Sequence, residues 1–465
     1  MSYPVKARLK FRWHPGLAYL PIVLFFSAVI WITVSGLTSI KAYLAPLSLI
    51  LGVTIFLTKD RRLACESIIS GVSDRVLATM LFAFLGAGAF GQLLVVSGLI
   101  DGLVWLGYAS GIEGSTFVIV SFFISALIAT GIGTSTGTCV TVVPVLYPAG
   151  VLLGAHPALL LGAIYSGARF GDNIAPISDT TVASAYTQGA DVGEVVASRL
   201  KYAASAAVIS IILYVIAGFL LDTSDTTSAM QSLHDAPDSQ SLRSLWILGA
   251  PALTVMMCIR GNSLIEAIWA GIFSAIVIGL VSGTLDLQQI YFIESPTTVG
   301  GALTDGIVAM RDVIFLAIFI MALVGILREA GMLDSLTSTM QRFASTPRRA
   351  ELAIFLLVSL MCPLCASNTP AMLFSGSIVN QIGEKYKIHR TRRANLMDLA
   401  GNGVTENLPH INTMLALAGV MLVAHETTGA PLVPITQIGL LAFHPLALSL
   451  VALFAIITGW GSRRG

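Results

Sequence analysis

Residues 163–185 read AIYSGARFGDNIAPISDTTVASA, and this stretch decides how the chain folds. Long apolar segments flank it, so its backbone is expected at membrane depth. It nevertheless carries Arg169, Asp172 and Asp179. An ionised side chain at the centre of a bilayer costs roughly 2.5–3.5 kcal/mol on insertion scales. Three such groups therefore indicate that the stretch lines a polar cavity, or that its charges pair with one another.

The same stretch contains residues that interrupt a helix. Pro176 removes a backbone donor, and we interpret Gly167 and Gly171 as positions where the chain unwinds. We therefore predict a broken transmembrane helix over 158–185, because unwound backbone at membrane depth is stable where it faces a cavity. A simpler alternative is a proline-kinked core helix with a structural ion pair between the arginine and the first aspartate. The side-chain oxygens of residues 178–181 favour the cavity, because they add nothing to packing.

This stretch resembles the signature of the NhaC family of sodium/proton antiporters, within a wider ion-transporter superfamily. The family pattern runs Gly-Asp, a basic residue, then Ser-Pro-x-Ser-Asp-Thr-Thr, and the residues that match it here are Gly171, Asp172, Pro176, Ser178, Asp179, Thr180 and Thr181. The sequence departs from the pattern at Asn173, where a lysine is usual, and at Ala175, where a serine is usual. Arg169 supplies a positive charge four residues before Asn173. The resemblance implies a homodimeric antiporter, and the departures bear on which species it transports.

Composition independently indicates a membrane protein. The chain has 465 residues, of which 55% are hydrophobic and 11% charged, and its mean hydropathy is +0.84. A soluble domain carries about 25% charged residues. We therefore predict an all-α integral membrane protein of about ten to twelve spans, with the lipid bilayer as its surroundings. A net charge of +1 gives no reason to expect a nucleic-acid partner, and we expect no cofactor besides the transported ions.

Lysine and arginine predict how the chain is oriented. Four basic residues lie in the N-terminal tail, residues 1–16, and Arg463 and Arg464 lie at the other end. Both termini are therefore expected in the cytoplasm, with the protein in the cell inner (plasma) membrane. The polar segment 222–243 holds several aspartates and one base, so we predict an extracytoplasmic linker there.

The two halves of the sequence match each other. A shift of 233 residues without a gap aligns Ser135 with Asn368, His156 with His389, Pro176 with Pro409 and Thr180 with Thr413. We predict repeat 1 over 17–221 and repeat 2 over 244–461, each with a helical hairpin and a broken helix. The hairpins are expected at 115–153 and 351–384, and the second broken helix at 394–420. Basic residues flank only the second hairpin, which predicts inverted repeats, a pattern typical of secondary transporters.

The hairpin tips and the second break supply further candidate ligands. The first tip holds Thr134, Ser135 and Thr136. The second tip, Ser367, Asn368 and Thr369, resembles the Ser-Asn-Thr tips that bind sodium and substrate in sodium-coupled carboxylate transporters of the same superfamily. The second break contributes Asn402, Glu406, Asn407 and Asn412.

Three intramembrane carboxylates are the predicted Na⁺ ligands. Asp172, Asp179 and Glu406 can each hold Na⁺ or a proton, and competition between the two cations couples their flows. Glu406 has an alternative interpretation as a hydrogen-bonded, permanently protonated carboxyl. We interpret Asp398 as interfacial, and His410 either titrates or caps the second break.

Two transport functions fit these residues. The first is exchange of Na⁺ for H⁺, which the signature and the carboxylates favour. The second is Na⁺- or H⁺-coupled transport of an amino acid or small organic carboxylate. Arg169 favours the second, since a buried guanidinium binds a carboxylate at two points. If Arg169 pairs with Asp172 instead, the first function stands.

An enzyme does not explain the sequence as well. An intramembrane aspartyl protease needs a Gly-x-Gly-Asp site, whereas the chain reads Arg169-Phe-Gly-Asp172. A protease also leaves the repeats and paired hairpins without a role. We therefore predict that the protein is not an enzyme.

Overall fold

A computed structural model describes residues 9–35, 37, 39–221, 242–260, 262–295 and 298–462. Most of the predicted linker 222–243 and half of the predicted tail 1–16 lie outside the described residues. The structure therefore does not test these two predictions.

Helices α1 to α10 occupy the first half of the chain. They are α1 Leu20–Val34, α2 Leu44–Leu57, α3 Arg61–Val72, α4 Arg75–Val96, α5 Leu99–Ser110, α6 Gly114–Ile132, α7 Ser135–Leu152, α8 Pro157–Ile174, α9 Asp179–Gln188 and α10 Val192–Leu220. Short 3₁₀ helices at Pro15–Tyr19 and Ile40–Tyr43 precede α1 and α2.

Helices α11 to α22 occupy the second half. They are α11 Gly249–Ile259, α12 Leu264–Ser282, α13 Leu287–Ile290, α14 Ala302–Ala309, α15 Arg311–Glu329, α16 Met332–Phe343, α17 Pro347–Cys365, α18 Asn368–Lys385, α19 Arg390–Gly401, α20 Asn412–Thr428, α21 Ile435–Leu441 and α22 Phe443–Thr458. Further 3₁₀ helices occur at Leu245–Leu248 and Val404–Asn407, and a two-stranded antiparallel ribbon pairs Phe292–Ser295 with Thr298–Gly300.

The helices confirm an all-α, multi-pass membrane protein. Within the described ranges, seven helices are long and apolar enough to cross a membrane, or up to nine if each of two bent helix pairs is one span. This number is lower than the ten to twelve that we predicted. One reason is that three further apolar helices, at 16–32, 99–110 and 242–257, are shorter than 18 residues.

Two glycines set the close packing of α8 against α6. A Cβ atom at Gly167 would lie 2.1 Å from the Phe122 carbonyl oxygen, and one at Gly171 would lie 2.2 Å from the Ala126 carbonyl oxygen. Small residues four apart allow this approach in membrane helices. The helix continues through both positions to Ile174, so our interpretation of these glycines as points of unwinding is wrong.

The chain breaks where the two prolines lie. Helix α8 ends at Ile174 and α9 begins at Asp179, with Pro176 between them. Pro409 likewise lies in the segment that separates α19 from α20, where the chain bends by 41°. Because proline cannot donate a backbone hydrogen bond, each break falls where the helix loses a donor. The second predicted broken helix is thus a bent transmembrane pair, and the first prediction corresponds to the interruption between α8 and α9.

Each hairpin turns through one residue in the left-handed conformation. Gly133 joins α6 to α7 with φ 74°, and Ala366 joins α17 to α18 with φ 51°. Glycine adopts this conformation without strain, whereas alanine does not. The Ala366 carbonyl accepts a hydrogen bond from the Asn412 backbone amide at 3.1 Å, which links the tip to the second break.

A third bend, of 49°, separates α21 from α22 and was not predicted. The Asn407 side-chain amide donates to the carbonyls of Gly439 at 2.8 Å and Ala442 at 3.0 Å. The Tyr214 hydroxyl donates to the Leu441 carbonyl at 2.9 Å. These side chains satisfy the carbonyls that the bend leaves without intrahelical donors.

The inverted orientation of the repeats remains a prediction with a direct test. Glu113 precedes the first hairpin and Lys387 follows the second, and both are exposed. Single cysteines at these positions, probed with a membrane-impermeant thiol reagent in intact cells, are expected to react from opposite faces of the membrane. Labelling of both from one face would contradict inverted repeats. Ala155 is unsuitable as a probe, because it is buried.

Candidate functional site

The two hairpin tips and the two breaks meet around one cavity of about 690 Å³. Ten of the predicted site residues line it, namely residues 134–136 and 367–369 with Arg169, Asp172, Asp179 and Asn412. Four helices begin at its wall, because α7, α9, α18 and α20 start at residues 135, 179, 368 and 412. Helix N-termini carry partial positive charge, so the wall presents both carboxylates and helix dipoles.

Asp172 is the buried carboxylate of this cavity. Its Oδ2 atom accepts hydrogen bonds from the Ser135 backbone amide at 3.1 Å and the Ser135 hydroxyl at 2.5 Å. Its Oδ1 atom is buried and has no hydrogen-bond partner among the described residues. No arginine or lysine in the described ranges forms an ion pair with it. One oxygen of Asp172 is therefore left for a proton or a cation.

The tips contact the breaks across the cavity. The Thr369 hydroxyl, on the second tip, donates to Asp179 Oδ2 at 2.6 Å, and this carboxylate is exposed. The Thr136 and Thr413 hydroxyls, on the first tip and the second break, lie 2.8 Å apart. Each hairpin tip therefore touches the broken helix of the other half. A register of 233 residues relates Thr136 to Thr369.

Arg169 has a partner that the sequence analysis did not consider for it. Its guanidinium forms a buried ion pair with Glu406 and also donates to Asn402 Oδ1 at 3.2 Å and the Tyr165 hydroxyl at 3.3 Å. The Tyr165 hydroxyl in turn donates to the Glu406 carbonyl at 2.6 Å. A pairing of Arg169 with Asp172 is therefore wrong. A permanently neutral Glu406 would leave this buried guanidinium without its counter-charge.

A second buried ion pair lies outside the cavity lining. Arg199 and Asp398 are each 0% exposed, with Nη1 and Oδ2 3.0 Å apart. The Asn173 and Asn402 side-chain amides donate to Asp398 Oδ1 at 2.5 Å and 2.8 Å. Our interpretation of Asp398 as interfacial is wrong, because the protein encloses it completely.

The remaining predicted residues lie outside the cavity lining. The hydroxyls of Ser178 and Thr180 lie 2.9 Å apart, and the Thr181 hydroxyl accepts from Arg199 at 2.8 Å. The contacts of the other four residues are given above: Asn173 with Asp398, Asn402 and Glu406 with Arg169, and Asn407 with the bend between α21 and α22. His410 Nε2 lies 3.0 Å from the Pro363 carbonyl oxygen, which fits the alternative in which this histidine holds the break.

Sequence reasoning missed Tyr165, Arg199, Asp398 and Thr413. One signal was available for Asp398, because Asn395, Asp398 and Asn402 are spaced by three and four residues. That spacing places all three on one face of a helix, as a polar stripe. A second signal was available for Thr413, because the 233-residue register aligns it with Thr180. Tyr165 and Arg199 join the site only through tertiary contacts.

The charges of the site leave two carboxylates without a basic partner. Arg169 neutralises Glu406 and Arg199 neutralises Asp398. Asp172 and Asp179 form no ion pair with a basic side chain over the described ranges. Carboxylate and hydroxyl oxygens are the ligands that hard cations prefer. The same part of the chain contains no group of three or more His, Cys, Asp or Glu side chains that could hold a resident metal ion.

Known proteins resemble this chain over most of its length. A 24% identity over 373 residues relates it to the malate-2H⁺/Na⁺-lactate antiporter of Bacillus subtilis strain 168, covering 77% of this chain and 78% of that protein. The Na⁺/H⁺ antiporter NhaC of Alkalihalophilus pseudofirmus is 29% identical over 262 residues, covering 54% and 56%. The arginine/ornithine antiporter ArcD of Halobacterium salinarum is 23% identical over 356 residues, covering 72% of each chain.

A family model gives the assignment. The model described as the Na⁺/H⁺ antiporter family matches residues 7–219 and 239–443. These ranges include both hairpins and both breaks around the cavity. The protein is thus a secondary antiporter that belongs to the Na⁺/H⁺ antiporter family.

Proposed function

We propose that this antiporter exchanges Na⁺ for H⁺ through competition of the two cations for Asp172 and Asp179. The observation that carries the proposal is the state of Asp172. It is a buried carboxylate at the cavity wall, without a basic partner in the described part of the chain, and one of its oxygens accepts no hydrogen bond there. Leaving such a group charged and unpaired is costly, so it takes up either a proton or a metal cation.

Competition follows because one carboxylate offers a single negative charge to both cations. Once Na⁺ is bound, that charge is neutralised, so binding a proton as well is only weakly favourable. Ser135 donates two hydrogen bonds to Oδ2 and leaves Oδ1 for the exchanging cation. Asp179 lies on the same cavity and supplies further oxygen ligands. The pairing of charges therefore favours Asp172 and Asp179 as the exchange sites over Glu406, which Arg169 already neutralises.

A second candidate function has support of its own. The cavity volume, about 690 Å³, lies in the range typical of small-molecule sites, and it is large for a bare Na⁺. The N-termini of α18 and α20 could accept a carboxylate group. Two of the relatives bear names that specify organic substrates. In this alternative Arg169 does not bind the substrate, because Glu406 and Asn402 occupy its guanidinium.

Flux in proteoliposomes separates the two functions. We expect an imposed Na⁺ gradient to drive proton movement without any organic solute present. Counterflow of malate, lactate, arginine and ornithine is measured beside it, with Li⁺ as a second cation. Saturable organic counterflow without solute-independent Na⁺/H⁺ exchange would replace the first function by the second. The homodimer that the resemblance implies remains a proposal, which light scattering of the purified protein tests.

Competition also predicts the effect of pH on Na⁺ affinity. Where the binding carboxyl is mostly protonated, each unit of lower pH is expected to raise the apparent KM for Na⁺ about tenfold, because Na⁺ must displace a proton. The maximal rate at saturating Na⁺ is expected to change little over the same range. Initial rates at five or more pH values on one proteoliposome preparation give both parameters. A KM independent of pH would contradict competition.

A further inference from the structure

Arg199 and Asp398 form a buried ion pair outside the lining of the transport cavity. Neither side chain is exposed, and their closest charged atoms are 3.0 Å apart. Burial of two charges costs several kcal/mol per ion unless hydrogen bonds from the protein replace those that water made to them. The contacts that stabilise this pair are therefore informative about its role.

Arg199 holds both sides of the first break. Its Nη1 atom donates to the Asn173 carbonyl oxygen at 2.8 Å and to the Thr181 hydroxyl at 2.8 Å. Asn173 directly follows Asp172, and Thr181 lies two residues after Asp179. One guanidinium on α10 thus connects the end of α8 to the start of α9, next to each cavity carboxylate.

Asp398 extends this connection to the second break. Its Oδ1 atom accepts from the side-chain amides of Asn173 at 2.5 Å and Asn402 at 2.8 Å. Asn402 Oδ1 accepts from Arg169, the partner of Glu406. The two ion pairs therefore belong to one hydrogen-bonded network that spans both broken helices.

We infer that Arg199 and Asp398 are positioning residues, which set the separation of the Asp172 and Asp179 carboxylates without binding either transported cation. The pair touches neighbours of both carboxylates and does not line the cavity. Side chains that orient metal ligands typically change metal affinity by 10- to 100-fold when they are replaced. The affinity test below rests on the proposed Na⁺/H⁺ exchange, whereas the distance test does not.

The first variant is Arg199→Lys, measured in the full-length protein in proteoliposomes. Lysine keeps the charge but lacks the planar fork that reaches Asn173 and Thr181 together. We expect the KM for Na⁺ to rise about tenfold or more. The maximal rate per folded protein and the dependence of KM on pH are expected to stay as in wild type. Arg62→Lys is the matched control, since Arg62 forms an exposed pair with Glu66.

The second variant removes both charges, as Arg199→Gln with Asp398→Asn. This double variant leaves no unpaired buried charge, so we expect it to fold even if Arg199→Lys does not, and the same measurements can then be made on it. If the pair is a positioning pair, the KM for Na⁺ is expected to rise and to keep its dependence on pH. A KM that no longer depends on pH would mean that Asp398 carries the exchanged proton, and a wild-type KM in either folded variant would show that the pair does not set the site. Both results overturn the inference.

A distance measurement tests the geometry without any transport. Spin labels at Leu127 on α6 and Val182 on α9, both exposed, report how α9 lies relative to the α6–α8 pair. In a cysteine-free background we expect a broader distance distribution for Arg199→Lys and for the double variant, and an unchanged one for Arg62→Lys. An unchanged distribution in the first two overturns the inference. If wild type shows no Na⁺-dependent proton flux, the proposed function fails, and this measurement alone decides the positioning role.

Discussion

Asp172→Asn is expected to abolish Na⁺-dependent proton flux, with a loss of at least about 100-fold, or ~2.7 kcal/mol. The amide carries no charge and exchanges no proton, so it removes the group for which the two cations compete. Folding is expected to be retained. The asparagine oxygen still accepts from Ser135, and the neutral side chain no longer pays for burial of a charge. Flux and thermal unfolding are measured on the same purified protein.

Two further variants test whether the loss of flux in Asp172→Asn is specific to the cavity carboxylates. Asp179→Asn is also expected to abolish flux, because Asp179 is the other carboxylate of the cavity without a basic partner among the described side chains. Asp101→Asn is the matched control, since Asp101 is an exposed carboxylate on α5 away from the cavity. Wild-type flux in Asp172→Asn would show that the two cations do not compete for this carboxylate. Loss of flux together with loss of folded protein would show that Asp172 has a structural role.

The sequence predicted the elements of this site because local chemistry determines them. A proline followed by polar residues marked both breaks, at Pro176 and Pro409. Proline alone is not sufficient, because Pro144, Pro148 and Pro363 lie inside helices. The first hairpin tip turns at Gly133, whose left-handed conformation suits glycine. The bend between α21 and α22 was missed. A signal was present in Pro445, which stands in the first turn of α22 and cannot donate to the Leu441 carbonyl. The side chains that stabilise the bend come from Asn407 and Tyr214, which are distant in sequence.

The pairing of charges could not be read from the sequence. Spacing suggested Asp172 as the partner of Arg169, since residues three or four apart are neighbours on a helix. The structure pairs Arg169 with Glu406, a residue of the other half, and Asp398 with Arg199. Both ion pairs depend on how α8, α10 and α19 pack together. Gly167 shows the same limit, because its role lies in the contact with Phe122 on α6 rather than in the local chain.

Glu406→Gln is expected to lower the free energy of unfolding by about 3–5 kcal/mol, because it leaves the buried Arg169 guanidinium without a counter-charge. Arg169→Lys is expected to have a smaller effect. Lysine keeps the charge beside Glu406 but cannot also donate to Asn402 and Tyr165. Denaturant unfolding in one detergent, followed by tryptophan fluorescence, gives the differences between variants.

The double variant Arg169→Gln with Glu406→Gln separates a structural role from a role in transport. Removing both charges is expected to recover most of the stability lost in Glu406→Gln, because no unpaired buried charge remains. Since neither residue is one of the two unpaired carboxylates, we also expect Na⁺-dependent proton flux to survive in the double variant. Recovered stability without flux would instead make Glu406 a ligand of the transported cation, as the three-carboxylate hypothesis holds. The neutralised pair therefore decides whether two or three carboxylates carry the exchange.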